Sequence, residues 1–350
     1  MPYRYFIVAV TAVAALWMYI DRVCFSTLAD EAQKDLGMTD PEKEWMLSGF
    51  FLTYALFQIP VGNLADRFGQ RRVLALSIAA WSAVTALSGF VTGFITLLLA
   101  RLMLGVTEAG AYPAAAGLVK NWARPTERGR FSSVVALGGR VGGAVAPTLT
   151  AVLAGALAGV ALTGAWDNPS GKNWRGVLLI YGLCGLVVAA LFWLFIRDRP
   201  PAPPGAPDDP GAARPVAAVA PVTFVRRLGI LARSRNMWLS GGAQLGVNVG
   251  WALLITLLPS YLNQTFGVPL EERGRMQSVV LTMGCCGMLL GGVATDALYR
   301  RLGPRRGRSM PIGTALVGCA ACMFLVPALP TPWVVVVALG VMAFLVDLHN

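Results

Sequence analysis

Polar residues are sparse along this chain and gather between long apolar runs. Ten runs stand out, at 5–28, 45–65, 73–92, 94–120, 131–160, 175–196, 237–262, 276–299, 310–329 and 332–348. Most reach or approach the roughly 20 apolar residues that a helix needs to cross a hydrocarbon core of about 30 Å. The pattern predicts an all-α integral membrane protein. One stretch is different: Asp198 to Pro221 reads DRPPAPPGAPDDPGAARPVAAVAP. So much proline builds no packed core, and the segment is expected to be an extended linker. The expected organisation is an N-terminal six-helix bundle over 1–197, a cytoplasmic linker over 198–235 and a C-terminal bundle of four helices over 236–350. The first run has only Arg4 before it and no small-residue cleavage site after it, so it is expected to be a retained span.

Composition agrees. The 350 residues are 56% hydrophobic and 13% charged, about half the charge of an ordinary soluble domain. The net charge of +11 is distributed by side. With the N-terminus in the cytoplasm, twenty of the 29 Lys and Arg residues fall on cytoplasmic segments and six on outer loops. That bias sets the orientation. It also makes the basic run RRLGPRRGR a topology signal and lipid-headgroup anchor, so no nucleic-acid partner is expected. Cys319 and Cys322 have a redox-type spacing but stand inside an apolar run, and the single histidine is His349. No metal, no cofactor and no enzymatic activity are expected.

Residues 62–72 read GNLADRFGQRR and form a charged, glycine-bracketed turn between spans two and three. A related pattern, GVATDALYRRLGPRR, occupies 292–306 between spans eight and nine, with the same spacing from Gly292 to Asp296 as from Gly62 to Asp66. The repeat relates two halves of one architecture. Glycines such as Gly62 and Gly69 let helices approach. Asp66 and Asp296 can accept hydrogen bonds from a helix N-terminus. Arg67, Arg71 and Arg300 can pair with those carboxylates or with lipid phosphates. Such a turn can latch bundle halves on one side of the membrane. It is not a phosphate-cradling loop, because no strand precedes it and no Gly-Lys-Ser/Thr follows.

Ionisable residues within spans are expensive and mark functional positions. Here they are Asp21 and Arg22 in span one, Arg101 and Glu108 in span four, and Arg140 in span five. Arg101 and Glu108 are seven apart and share a helix face. The competing reading is that these charges only pair with one another and lock helices together. Arg140 is either a second cation for a substrate or a residue that snorkels to the inner interface. Tyr54 stands mid-span in span two. Gln244 and Asn248, four apart in span seven with Trp251 nearby, offer polar side chains to a cavity.

These stretches resemble the major facilitator superfamily: GNLADRFGQRRVL is similar to its signature between helices two and three, with Gln70 where a basic residue is common. More narrowly the chain resembles the anion:cation symporter family, through YIDRVCFSTLA, GFFLTYALFQIPVGNLADRFG, ARLMLGVTEAGAYPAAAGLVKNWARPTERGR, WRGVLLIYG and LPSYL. The resemblance implies a proton-coupled symporter of small organic anions, sugar acids or aromatic and dicarboxylic acids, working by alternating access. It implies that Arg22 binds the substrate carboxylate, that Tyr54 assists, and that Asp21 and Glu108, with Arg101 beside them, take part in proton coupling. The expected partners are an organic anion, protons and the lipid bilayer of the inner or plasma membrane, with the protein acting as a monomer. The superfamily has twelve spans and ten are found, so the chain is expected to be C-terminally truncated. That leaves a non-transporting sensor or inactive remnant as the alternative. Drug export is disfavoured, because exporters often carry an adjacent Gly-Pro in helix five, whereas Gly143 and Pro147 are separated by Ala-Val-Ala.

Overall fold

The computed structural model describes residues 3–124, 127–160, 171–199 and 229–347, with the backbone alone for 292–300, 302–312 and 315. The regular elements among them are helices. They are α1 (Tyr3–Thr27), α2 (Ala29–Leu36), α3 (Asp40–Phe68), α4 (Gln70–Ser88), α5 (Phe94–Glu108), α6 (Ala111–Trp122), α7 (Arg128–Ala156), α8 (Trp174–Phe195), α9 (Arg235–Ala252), α10 (Leu258–Phe266), α11 (Leu270–Leu325) and α12 (Pro332–Asp347). Among the described residues, six stretches are long and apolar enough to cross a membrane, α5–α6 and α9–α10 each counting as one. Most of the proposed linker, 200–228, lies outside the described residues.

Proline explains both interrupted spans. Pro113 has no N–H for the carbonyl four residues back, and the chain slips at Ala109–Gly110 between α5 and α6. Pro259 acts likewise, and the turn before it relaxes into a π-helical stretch, Leu253–Leu257. The carbonyl of Ile255, which Pro259 leaves free, is not orphaned. It accepts the Ser26 hydroxyl at 2.7 Å and the Gln277 amide at 2.9 Å.

The chain divides into two compact units, Met1–Ala212 with Ile255–Thr282, and Ala213–Leu254 with Met283–Asn350. In the first, the main helix pairs are α1 with α7, α4 with α8 and α3 with α5. Their closeness comes from glycine. A Cβ at Gly138 would lie 2.3 Å from the Ala12 carbonyl oxygen, and one at Gly142 would lie 2.2 Å from that of Leu16. Backbone can touch backbone only where the side chain is a hydrogen, which is how helices gain contact in a lipid environment that supplies no hydrophobic drive between them. Trp81, Trp174, Phe50 and Phe192 fill the remaining interior. Large apolar residues such as Leu56, Ile59, Leu99 and Leu194 remain exposed on the spans, as a surface that meets acyl chains requires. In the second unit α9 packs on α12, and the Trp251 indole donates to Asp347 at 3.2 Å.

One expectation is corrected. Spans eight and nine were separated on the sequence by the turn at 292–306, yet α11 runs without a break for 56 residues, about 84 Å at 1.5 Å per residue. Pro304 and Pro311 fall within it. In a polar stretch water can take the carbonyls that proline leaves free, so proline need not end the helix there. The side chains of Asp296 and Arg300 lie outside the described residues, so the paired gate proposed for them is not described.

The glycine contacts carry a prediction. Gly142→Ala must push α1 off α7, because the obstructing atom is backbone. An overpacking cost of about 1–3 kcal/mol should lower the thermal midpoint in detergent by roughly 3–10 °C, read by intrinsic-fluorescence melting. Gly159→Ala, in open space but at a φ of +80°, serves as a comparison for backbone strain without a clash.

Candidate functional site

Arg22 is the centre of the first unit's polar interior. It stands on α1 three residues after Tyr19, so the two share a face. Its guanidinium lies over three rings: Tyr54 at 4.5 Å, Phe50 at 5.1 Å and Tyr19 at 5.4 Å. Phe50 and Tyr54 are one turn apart on α3 and stack with centroids 5.6 Å apart. The ring faces carry negative charge density and favour a cation that has left water.

Glu108, at the end of α5, supplies the counter-charge. Its Oε2 accepts Nη2 of Arg22 at 2.8 Å and Nε at 3.2 Å. The Glu108 side chain is fully buried, whereas that of Arg22 is 10% exposed, so only the arginine has an edge open to solvent. Both bonds converge on a single carboxylate oxygen. Oε1 of Glu108 is buried with no hydrogen-bond partner among the described residues. The pair is therefore half-made: the arginine fork has an unused edge, and the carboxylate has a vacant oxygen.

The other intramembrane charges are arranged differently. Arg101 is buried and donates to the Met46 carbonyl at 3.3 Å, with its guanidinium over Phe25 at 4.4 Å and Phe50 at 4.8 Å. It thus shares the Phe50 ring with Arg22, while its ion pairing with Glu108 is not made. Asp21 is fully buried, with the Trp81 indole beside it. Arg140 is half-buried on α7. Gln244 and Asn248 lie on α9 in the second unit, exposed, with the Gln244 amide donating to Asn248 at 3.3 Å. Tyr112 was not foreseen; its hydroxyl donates to that of Tyr19 at 3.3 Å. The sequence gives no local sign that α6 returns to α1 there.

The signature turn has an occupant that sequence reasoning missed. Gly69 has a φ of +98°, a conformation that L side chains rarely adopt, and a Cβ there would lie 2.0 Å from a carboxylate oxygen of Asp198. Asp198 accepts the Arg71 backbone N–H at 3.0 Å. It caps α4, where the helix dipole favours a negative charge. Arg71 turns back over Trp193, with its guanidinium 4.7 Å from the ring and a hydrogen bond to the Trp193 carbonyl. Asp66 is exposed and accepts from Gln70 at 3.1 Å. Gln70, which replaces the commoner basic residue, packs against Gly117 of α6. Gly62 meets Pro113, and the Arg67 guanidinium lies 5.9 Å from the Phe68 ring. Asp198 looked like the first residue of a linker, and nothing in the local sequence ties it to a turn 127 residues earlier.

Comparison with known proteins gives consistent matches. A family model described as Major Facilitator Superfamily matches residues 11–347. The Probable sulfoacetate transporter of Cupriavidus necator is 30% identical over 99% of this chain and 78% of its own length. The Probable L-galactonate transporter of Escherichia coli is 28% identical over 95% of this chain and 70% of its own. The Probable galactarate/D-glucarate transporter of the same organism is 30% identical over 88% and 70%. Among solved structures, a bacterial homologue of the human lysosomal transporter Spinster superposes with a TM-score of 0.75 at 24% identity, covering all of this chain and 74% of that one. A D-xylose-proton symporter superposes with a TM-score of 0.63 at 15% identity. At these identities the structural likeness is one of fold.

The capping role of Asp198 is testable. Asp198→Ala removes the acceptor at the α4 N-terminus and should cost about 0.5–2 kcal/mol, whereas Asp198→Asn keeps an acceptor and should cost less. Thermal melts of the two variants in detergent check the order; equal losses would mean that Asp198 acts through its charge alone and not as an acceptor.

Proposed function

The chain belongs to the Major Facilitator Superfamily, and from that premise we propose that it is a proton-coupled symporter of small organic anions, with sugar acids as the favoured class. The single observation that carries this reading is the half-made Arg22–Glu108 pair. A guanidinium presents a planar fork that binds a carboxylate through two parallel hydrogen bonds. An entering carboxylate takes the open edge of Arg22, and Tyr54 lies beside it. As the substrate draws Arg22 away, Glu108 loses the cation that keeps it ionised and takes up a proton. The loaded site then carries substrate and proton together. On the other side the proton leaves first, Glu108 pairs again with Arg22, and the substrate is expelled. Asp21 and Arg101 flank this exchange and tune it. The transporters of sulfoacetate, L-galactonate and galactarate/D-glucarate named above all carry small anions, which supports the same chemistry here.

The remaining assignments follow the sequence reading. Bundles over 1–197 and 236–350 joined by the linker at 198–235 alternate access. The turn with Gly62, Asp66, Arg67, Gly69 and Arg71, and its second copy with Asp296 and Arg300, rearrange with the cycle. Arg140, Gln244 and Asn248 add polar contacts to the substrate, and the protein works as a monomer.

The test uses the chain reconstituted in liposomes with an inward proton gradient. Labelled galactarate, D-glucarate, L-galactonate and sulfoacetate are offered in turn, and at least one should accumulate. Failure of all four to bind or accumulate overturns the substrate class. Arg22→Lys keeps the charge but loses the fork, and should weaken binding by about 2–5 kcal/mol, roughly 30-fold or more. The amide of the same acid, with its carboxylate replaced, should bind poorly to the native protein and lose little further in the variant. Equal weakening of acid and amide would make Arg22 structural. Glu108→Gln should retain exchange of substrate across the membrane and lose accumulation driven by the gradient. Accumulation that survives in that variant removes Glu108 from the coupling.

A further inference from the structure

On the face opposite the N-terminus, four ionised side chains are buried together within the first unit. The chain leaves α1 at Thr27, and α2 opens with Asp30 and Glu31 in its first turn, where the helix dipole favours carboxylates. Asp30 receives Lys43 of α3 at 3.0 Å and Arg273 of α11 at 2.6 Å. Ser260 and Asn263 of α10 also donate to it, both at 2.9 Å. The second terminal nitrogen of Arg273 reaches Glu31 at 2.6 Å. The four ionised side chains are only 3–6% exposed, and two charges of each sign cancel.

We propose that this cluster is a releasable latch on the external side, which the structure shows closed, and that opening the site to the outside requires Arg273 to leave Asp30 and Glu31. Two features favour a latch over a permanent joint. Permanent joints in this unit, such as α1 with α7, are made by glycine and backbone contact. Ion pairs, by contrast, sit at the aqueous end of the helices, where water can replace every bond on opening, and removal from water offsets most of the attraction when they close. Arg273 is also the one residue that ties the α10–α11 corner to both acids of the α1–α2 corner. Directly beneath lie Ser26, bonded to the Ile255 carbonyl, and Thr27, bonded to Gln277. Release of the latch uncovers those two contacts next.

The latch keeps its central charge. Burial pushes the Asp30 carboxyl up, but Lys43 and Arg273 outweigh burial and hold it below the usual carboxylate range. Its contribution is present above the ordinary aspartate value and is lost only as pH falls through the lowered one. Burial pushes Glu31 the other way, upward, against Arg273.

The inference rests on the transport reading only in requiring a cycle that opens outward, and its test needs no substrate. In a background with the six cysteines replaced, Ser26→Cys, 3% exposed in this state, reports opening to a membrane-impermeant thiol reagent. Right-side-out and inside-out vesicles are compared. Arg273→Gln should raise the labelling rate from the external face about tenfold or more, as expected when a minor open state becomes a major one. Arg273→Lys, which keeps the charge and can hold one acid at a time, should fall between. Rates within twofold of the parent in both variants overturn the latch, as does an equal rise from both faces in the lysine variant, which would signal a loosened fold rather than an opened gate.

Discussion

The interior of a bilayer offers no water to backbone or charge, and this protein is organised by that shortage. Helices satisfy their own amides, so the described residues form helices. Where proline strips a carbonyl of its partner, another group must supply one. Ser26 and Gln277 do so for Ile255 beside Pro259. The same shortage governs the charges. Arg22 has taken three aromatic faces and one oxygen of Glu108 in place of its hydration. One edge of the guanidinium stays open to solvent.

Two kinds of contact follow from this solvent, and they differ in reversibility. Glycine-mediated contact between α1 and α7 brings backbone against backbone; nothing replaces it once it is lost, so it behaves as a fixed joint. Ionic contact at the aqueous end, as between Arg273 and the acids of α2, exchanges for water at small net cost. Arg22–Glu108 is intermediate: it lies deep, and the species that can replace its bonds is another carboxylate or a proton.

Much of the candidate site was legible because apolar runs make polar residues conspicuous. Asp21, Arg22, Arg101 and Glu108 stand out in apolar runs, and Tyr54 follows from its place mid-span. What could not be read was pairing. Arg101 and Glu108 share a face of one helix, yet Glu108 turns to Arg22, 86 residues away in sequence, and Arg101 turns to the Met46 carbonyl. Lys43 and Arg273, two of the six basic residues counted on outer loops, are buried.

The sequence by itself determined that the described residues are helical and where most spans run. Each of these is set by local composition against a fixed solvent, so each survives without knowledge of neighbours. The tertiary structure alone decided that Asp198 caps the turn at Gly69, that Glu108 meets Arg22 through one oxygen and that Asp30 gathers partners from three helices. Those outcomes depend on which helices lie side by side. Partners distant in sequence leave no periodicity behind, so packing decides them.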